Sequence, residues 1–315
     1  MVTGRPPPRR RPRAGVGREP ARFPPRTLDA GATHWLRCAD ERADGEDAVA
    51  GADGSADDDA LFVLTALLLT PARFPSVLGD DYPAACAALG LAPYDGGYGL
   101  VLGQDGAGAR WTVAVDDVSL VAVAIASWDC GMEHDLSPSD RSVVAALPGW
   151  PLAVATAAPG LPAPHDPDGQ EADGPPLAPP DTGGWGPAQR RLGADEVALQ
   201  WAVWREQVGE QIAFARPDTP RRERPAPHEG VRRVLDELHG YVDRAPPLGR
   251  VRSSFASDGA RMLRADGPGW SLVARTDDIA LVLLDEEPGQ VLPVGRGPRL
   301  PGLLEALDRM AVRPS

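Results

Sequence analysis

Apolar side chains recur on three different rhythms in this 315-residue chain. The first is unbroken: Leu61-Phe62-Val63-Leu64-Thr65-Ala66-Leu67-Leu68-Leu69. Asp57-Asp58-Asp59 precede it, and Pro71 and Pro75 follow. Acidic residues suit a helix N-terminus as caps and against the dipole, so the run predicts a deeply buried helix that the prolines stop. The second rhythm steps by three and four. Val197, Trp201, Trp204, Val208 and Ile212 fall on one face and predict a long amphipathic helix over residues 195–215. The same spacing predicts a helix on Val231, Val234, Leu235 and Leu238, ending near Gly240, and a closing helix on Leu303, Leu304 and Leu307. A short helix over residues 82–89 closes at Gly90, and another starts at Ser139 and carries Val143, Val144 and Leu147. The third rhythm is short runs between turn residues. It predicts strands running through Leu102, over 111–115 and over 118–126, then over 261–265, 270–274 and 279–284.

One segment occurs twice. Residues 102–121 and 263–282 align without a gap: Asp105-Gly106-Ala107-Gly108 falls on Asp266-Gly267-Pro268-Gly269, and Asp116-Asp117 on Asp277-Asp278. An internal repeat constrains architecture before any other feature does. Both halves then read helix, helix, three-stranded antiparallel meander, helix. The expected fold is α+β, built from two similar halves related by a pseudo-twofold. A three-stranded sheet is marginal alone, so helices must cover it. The expected divisions are a mostly disordered arm over 1–56, a first half over 57–158, a Pro/Gly-rich linker over 159–187 and a second half over 188–315.

Composition narrows the chemistry. The net charge is −13, and phosphate backbones repel such a chain. The exception is residues 1–30, where eight arginines stand against Glu19 and Asp29, so an arginine arm is the one expected route to nucleic acid. Every one of the 32 Lys+Arg cations is an arginine, and Asn is absent as well. Without Lys there is no Schiff-base chemistry and no P-loop lysine. Cys38, Cys86 and Cys130 are odd in number and widely spaced, which argues for a reducing compartment and a cytoplasmic protein. No signal peptide is visible, and no apolar run is long enough to span a membrane.

Candidate sites are few. The Asp-Gly-x-Gly turns lack the alternating acidic ligands and late Glu of a calcium loop, and read as hairpin chemistry. Asp116-Asp117 and Asp277-Asp278 read as polar turns, because neighbouring side chains on a strand point apart. The loop Trp128-Asp129-Cys130-Gly131-Met132-Glu133-His134-Asp135 has no Cys or His counterpart in the second half. Cys130, Glu133 and His134 are therefore the alternative site, as metal ligands or as nucleophile and base. No second Cys/His pair stands at zinc spacing, so no metal and no cofactor is expected. Trp201 and Trp204 are either core or a partner-binding stripe.

These features lead to a non-catalytic protein-binding adaptor or chaperone-like protein, with homodimerisation open. Helix-then-meander order in two quasi-equivalent halves over roughly residues 57–310 is similar in layout to the secretion-associated chaperones of type VII systems. That resemblance implies a cytoplasmic, non-enzymatic protein that holds secreted substrates through a sheet and a helical bundle. It implies no particular binding residue.

Overall fold

The structure, a computed structural model, describes residues 61–169, 174–181, 183–209 and 228–313. The arm expected over 1–56 and the end of the helix expected over 195–215 lie outside the described residues. The described chain is α+β, with two antiparallel sheets and six helices.

The first sheet runs β1 (Phe62–Leu69), β2 (Tyr98–Gln104), β3 (Arg110–Val115), β4 (Val143–Pro148), in chain order. Two helices belong to it, α1 (Tyr82–Ala88) and α2 (Val118–Asp129). The uninterrupted apolar run is thus a strand, not a helix. It is apolar throughout because both faces are covered. Leu67 and Leu69 join the core on the α1 side, while Ala66 and Leu68 join the core under α2. A run this short has no periodicity that tells strand from helix, and pairing with β2 decides it.

Two more expectations are corrected in this half. Residues 118–126, expected as a strand, lie in α2. The Asp117 side chain caps it by accepting from the Leu120 amide at 3.0 Å, and alanines at 122, 124 and 126 favour a helix. Residues 143–147, expected as a helix, form β4 instead, paired with β3 from Val115↔Val143 to Trp111↔Pro148. The short helix at 82–89 stands as read, with Asp81 accepting from Ala84 N at 2.8 Å and Gly90 at φ +67°.

The second half places α3 (Pro187–Leu199), α4 (Trp201–Gly209) and α5 (Glu229–Asp243) before a five-stranded meander. Its strands are β5 (Val251–Phe255), β6 (Arg261–Gly267), β7 (Trp270–Arg275), β8 (Ala280–Leu284) and β9 (Leu292–Val294), and α6 (Leu300–Met310) closes it. The single helix expected from residue 195 is two, broken at Gln200. The outer strands β5 and β9 were not foreseen. Helices α5 and α6 cover one face of this sheet, and α3 and α4 the other. That is why Ala-Leu-Val-Leu-Leu of β8 is buried at every position.

The repeat survives in the backbone as one hairpin, β2–β3 against β6–β7, and in altered register. Leu102 pairs with Thr112, whereas its counterpart Leu263 pairs with Ala274. Asp105 sits in the turn, but Asp266 lies within β6 opposite Ser271. Beyond the hairpin the paths separate, into α2 in one half and β8 in the other. A pseudo-twofold relation between two full copies is not confirmed.

Candidate functional site

The loop carrying Cys130, Glu133 and His134 leaves the end of α2. Cys130 caps that helix, its amide bonded to Ala126 O and Ser127 O, and Gly131 at φ +72° turns the chain away. Cys130 and Glu133 are exposed, and His134 is partly so. Among the described residues, no group of three or more His, Cys, Asp or Glu side chains is placed to hold a metal ion. Cys86 is buried between α1 and the sheet, where desolvation pushes its thiol up. His165 lies beside the β2–β3 turn, its ring nitrogens at the Asp166 and Ala107 carbonyls.

Trp201 and Trp204 are both buried, packed with Ala194, Val197 and Val208 against Val273, Ile279 and Leu281. The rim of Trp201 reaches a shallow groove of about 530 Å³ that also involves Arg205, Arg275, Asp277 and Asp278. The second Asp-Asp pair does local work there: Arg275 Nε holds Asp277 at 2.7 Å, and Arg205 Nε holds Asp278 at 2.8 Å.

A group that sequence reasoning missed lies where the halves meet. Among the described residues, each sheet has its own apolar cores, and no core cluster contains residues of both. The junction is ionic instead. From α3, Arg190 reaches Asp80 at 2.5 Å and Asp285 at 2.6 Å, and Arg191 pairs with Asp266. Arg250 Nε meets Asp81, the cap of α1, at 2.5 Å, and Asp195 takes Arg264 at 2.5 Å and the Ser76 hydroxyl. Phe74 lies with the guanidinium carbons of Arg191 and Arg252 each 4.7 Å from its ring centre. Gly249, at φ +83°, lets the chain pass here, since a Cβ would stand 2.7 Å from Tyr82 Cβ.

Burial sets the electrostatics of this cluster. Arg190 and Arg191 are fully buried. Desolvation pushes the Asp80 carboxyl up to about 6, against the pull of Arg190. Desolvation and then repulsion from Arg264 bring Arg191 down to about 9. Burial works to raise Asp195 too, but Arg264 and Arg191 win and hold it low. The Nε and Nη2 atoms of Arg191, Arg252 and Arg264 are buried with no hydrogen-bond partner. These arginines are legible in the sequence only as surface charges of a helix and of short strands; nothing there says that two sheets close over them.

Among the described residues, one sheet face is only half covered by a helix. Helix α2 lies over β1 and β2. The same face continues on β3 and β4, where Trp111 and Val113 are partly exposed and Ala146, opposite Val113, is exposed. At the β3–β4 bulge, Val143 and Val144 are 38% and 47% exposed. The fixed end of this surface is Trp111, whose indole donates to Asp105 at 3.0 Å, so the first Asp-Gly-x-Gly turn also anchors a side chain.

The fold and surface thus define a two-sheet α+β protein with an ionic seam and one half-open sheet. No protein-family model, no curated protein and no solved structure matches the chain.

Proposed function

We propose that this is a non-catalytic protein-binding protein, an adaptor or chaperone-like scaffold, which holds an apolar segment of a protein partner against the β3–β4 half of its first sheet. The observation that carries this reading is the strip of partly exposed Trp111 and Val113 and exposed Val144 and Ala146 beside a face that α2 otherwise buries. Contiguous exposed apolar surface on a folded chain marks a site of interaction. The other three sheet faces are packed beneath helices or connecting segments, which makes this half-face the exception. Among the described residues, no helix is long and apolar enough to cross a membrane. Trp201 would add to partner contact only through the rim that faces its groove.

The test is selection of peptides from a displayed random library on the full chain. Apolar peptides should be enriched, and Ala146→Asp should weaken their binding at least about tenfold, the effect of burying an unpaired charge in the contact. Ala146 is exposed, so melting should barely change. No enrichment, or binding indifferent to Ala146→Asp, would remove the proposal. The enzyme reading centres on Cys130, and a rapid, saturable reaction of that thiol with a substrate-like electrophile would revive it.

A further inference from the structure

A buried guanidinium that lacks hydrogen-bond partners is costly, and folded proteins rarely keep one without a reason. Three stand together in the ionic seam. Arg252 of β5 and Arg264 of β6 are register partners, so two cations lie directly opposite each other on the sheet. Like charges so placed repel. Arg191 of α3 joins them, its guanidinium carbon and that of Arg252 both lying against Phe74. Desolvation first, and then repulsion from Arg264, hold Arg191 below the ordinary arginine range.

In all three, the same two atoms have no hydrogen-bond partner among the described residues: Nε and Nη2. These nitrogens share one side of the guanidinium. Their N–H bonds run parallel and together grip two oxygens of a carboxylate or a phosphate. The carboxylates at hand bond elsewhere. Asp266 accepts from Arg191 Nη1 and the Ser271 hydroxyl, and Asp195 from Arg264 Nη1 and the Ser76 hydroxyl. Arg252 Nη2 is 3.9 Å from Asp266. Asp80 and Asp285 are held by Arg190, and Asp81 by Arg250. Two carboxylates thus serve three guanidiniums. Water would satisfy the N–H groups but leave the excess charge, whereas an oxyanion answers both. It must be small, because Arg191 is fully buried and the Arg264 side chain is only 9% exposed. The partly exposed side chains of Arg252 and Asp195 mark the solvent side of the cluster.

We propose that the seam binds one small tetrahedral oxyanion of the phosphate class through the Nε–Nη2 sides of Arg191, Arg252 and Arg264. Arg191 and Arg252 belong to the second half and Phe74 to the first, so an anion that fixes these arginines also fixes the contact between the halves. The site is separate from the apolar strip on β3 and β4, and each can fail without the other.

The experiment titrates the full chain, dialysed free of phosphate, with sodium phosphate or with sodium chloride at matched ionic strength. Melting temperature and calorimetric heat are read. The expected result is a saturable rise in melting temperature with phosphate alone, at one phosphate per chain. Arg252→Lys keeps the charge but removes the fork, so it should weaken phosphate binding at least about tenfold. Three results would overturn the proposal. The first is no saturable phosphate effect, which would leave these donors to water or to carboxylates elsewhere in the chain. The second is an equal rise with chloride, which would mean screening. The third is unchanged phosphate affinity in Arg252→Lys, which would place the anion elsewhere. If Arg252→Lys fails to fold, hydrogen exchange of the wild-type chain decides: phosphate should slow the amides of β5 and of residues 74–78, and no slowing there would remove the site.

Discussion

Asp80 carries the clearest pH signature. Its folded pKa, about 6, lies above the ordinary 3.8, so folding favours the neutral carboxyl. The stability it contributes is full below about pH 4 and is lost as pH rises through about 6, at most about 3 kcal/mol. Asp80→Asn, neutral throughout, should therefore flatten the fall in urea midpoint between pH 4 and 7 relative to wild type; a parallel pair of curves would contradict it. Arg191 is the opposite case, a buried cation whose partner Asp266 is equally buried. Removing one partner strands the other charge, so Arg191→Met should cost about 3–5 kcal/mol in denaturant unfolding. Changing Asp266 to Asn in the same chain should recover part of that loss, since the uncompensated charge is then gone. Both residues are plain polar letters in the sequence; their weight comes from the distance to solvent, which no local pattern encodes.

Elements were legible where a rhythm was long or a cap was chemical. Helix α5 carries three- and four-residue spacing over about two turns and helix α6 over little more than one, and both were read as helices; α1 was read from its Gly90 end. The failures were short apolar runs. Residues 62–69 and 143–148 are strands because β2 and β3 offer their ladders, and residues 118–129 form a helix because Asp117 caps them. In each case the local sequence allows both states, and a neighbour chooses. The fit between α2 and the sheet is tight at Gly99, where a Cβ would meet Val121 Cγ2 at 2.3 Å. Gly99→Ala should push α2 off β2 and lower stability by about 1–3 kcal/mol, read as a drop in melting temperature. A melting temperature equal to wild type would show that the helix can shift freely.

At the level of the folded chain, two apolar bodies meet through ions. Asp81 stands at the centre of that contact, capping α1 and pairing with Arg250. Asp81→Ala removes both bonds, so it should cost about 2–4 kcal/mol. It should also split urea unfolding into two transitions, the second sheet melting last because β8 is wholly buried. Tryptophan emission and circular dichroism that stay coincident in this variant would mean that the seam is not what couples the halves. The candidate binding strip belongs to the same level. Val113 and Val144 were apolar letters of a strand and a helix, and Val113 is partly and Val144 clearly exposed because α2 lies over only two strands of four. Amino-acid order alone specified an α+β chain, a repeated hairpin, most helices of the second half and the absence of lysine chemistry, since these follow from spacing and residue type. Three-dimensional packing settled which apolar runs became strands, which arginines lost their water and which sheet face stayed uncovered. Those outcomes depend on partners far away in the chain, and burial is a property of the pair rather than of either segment.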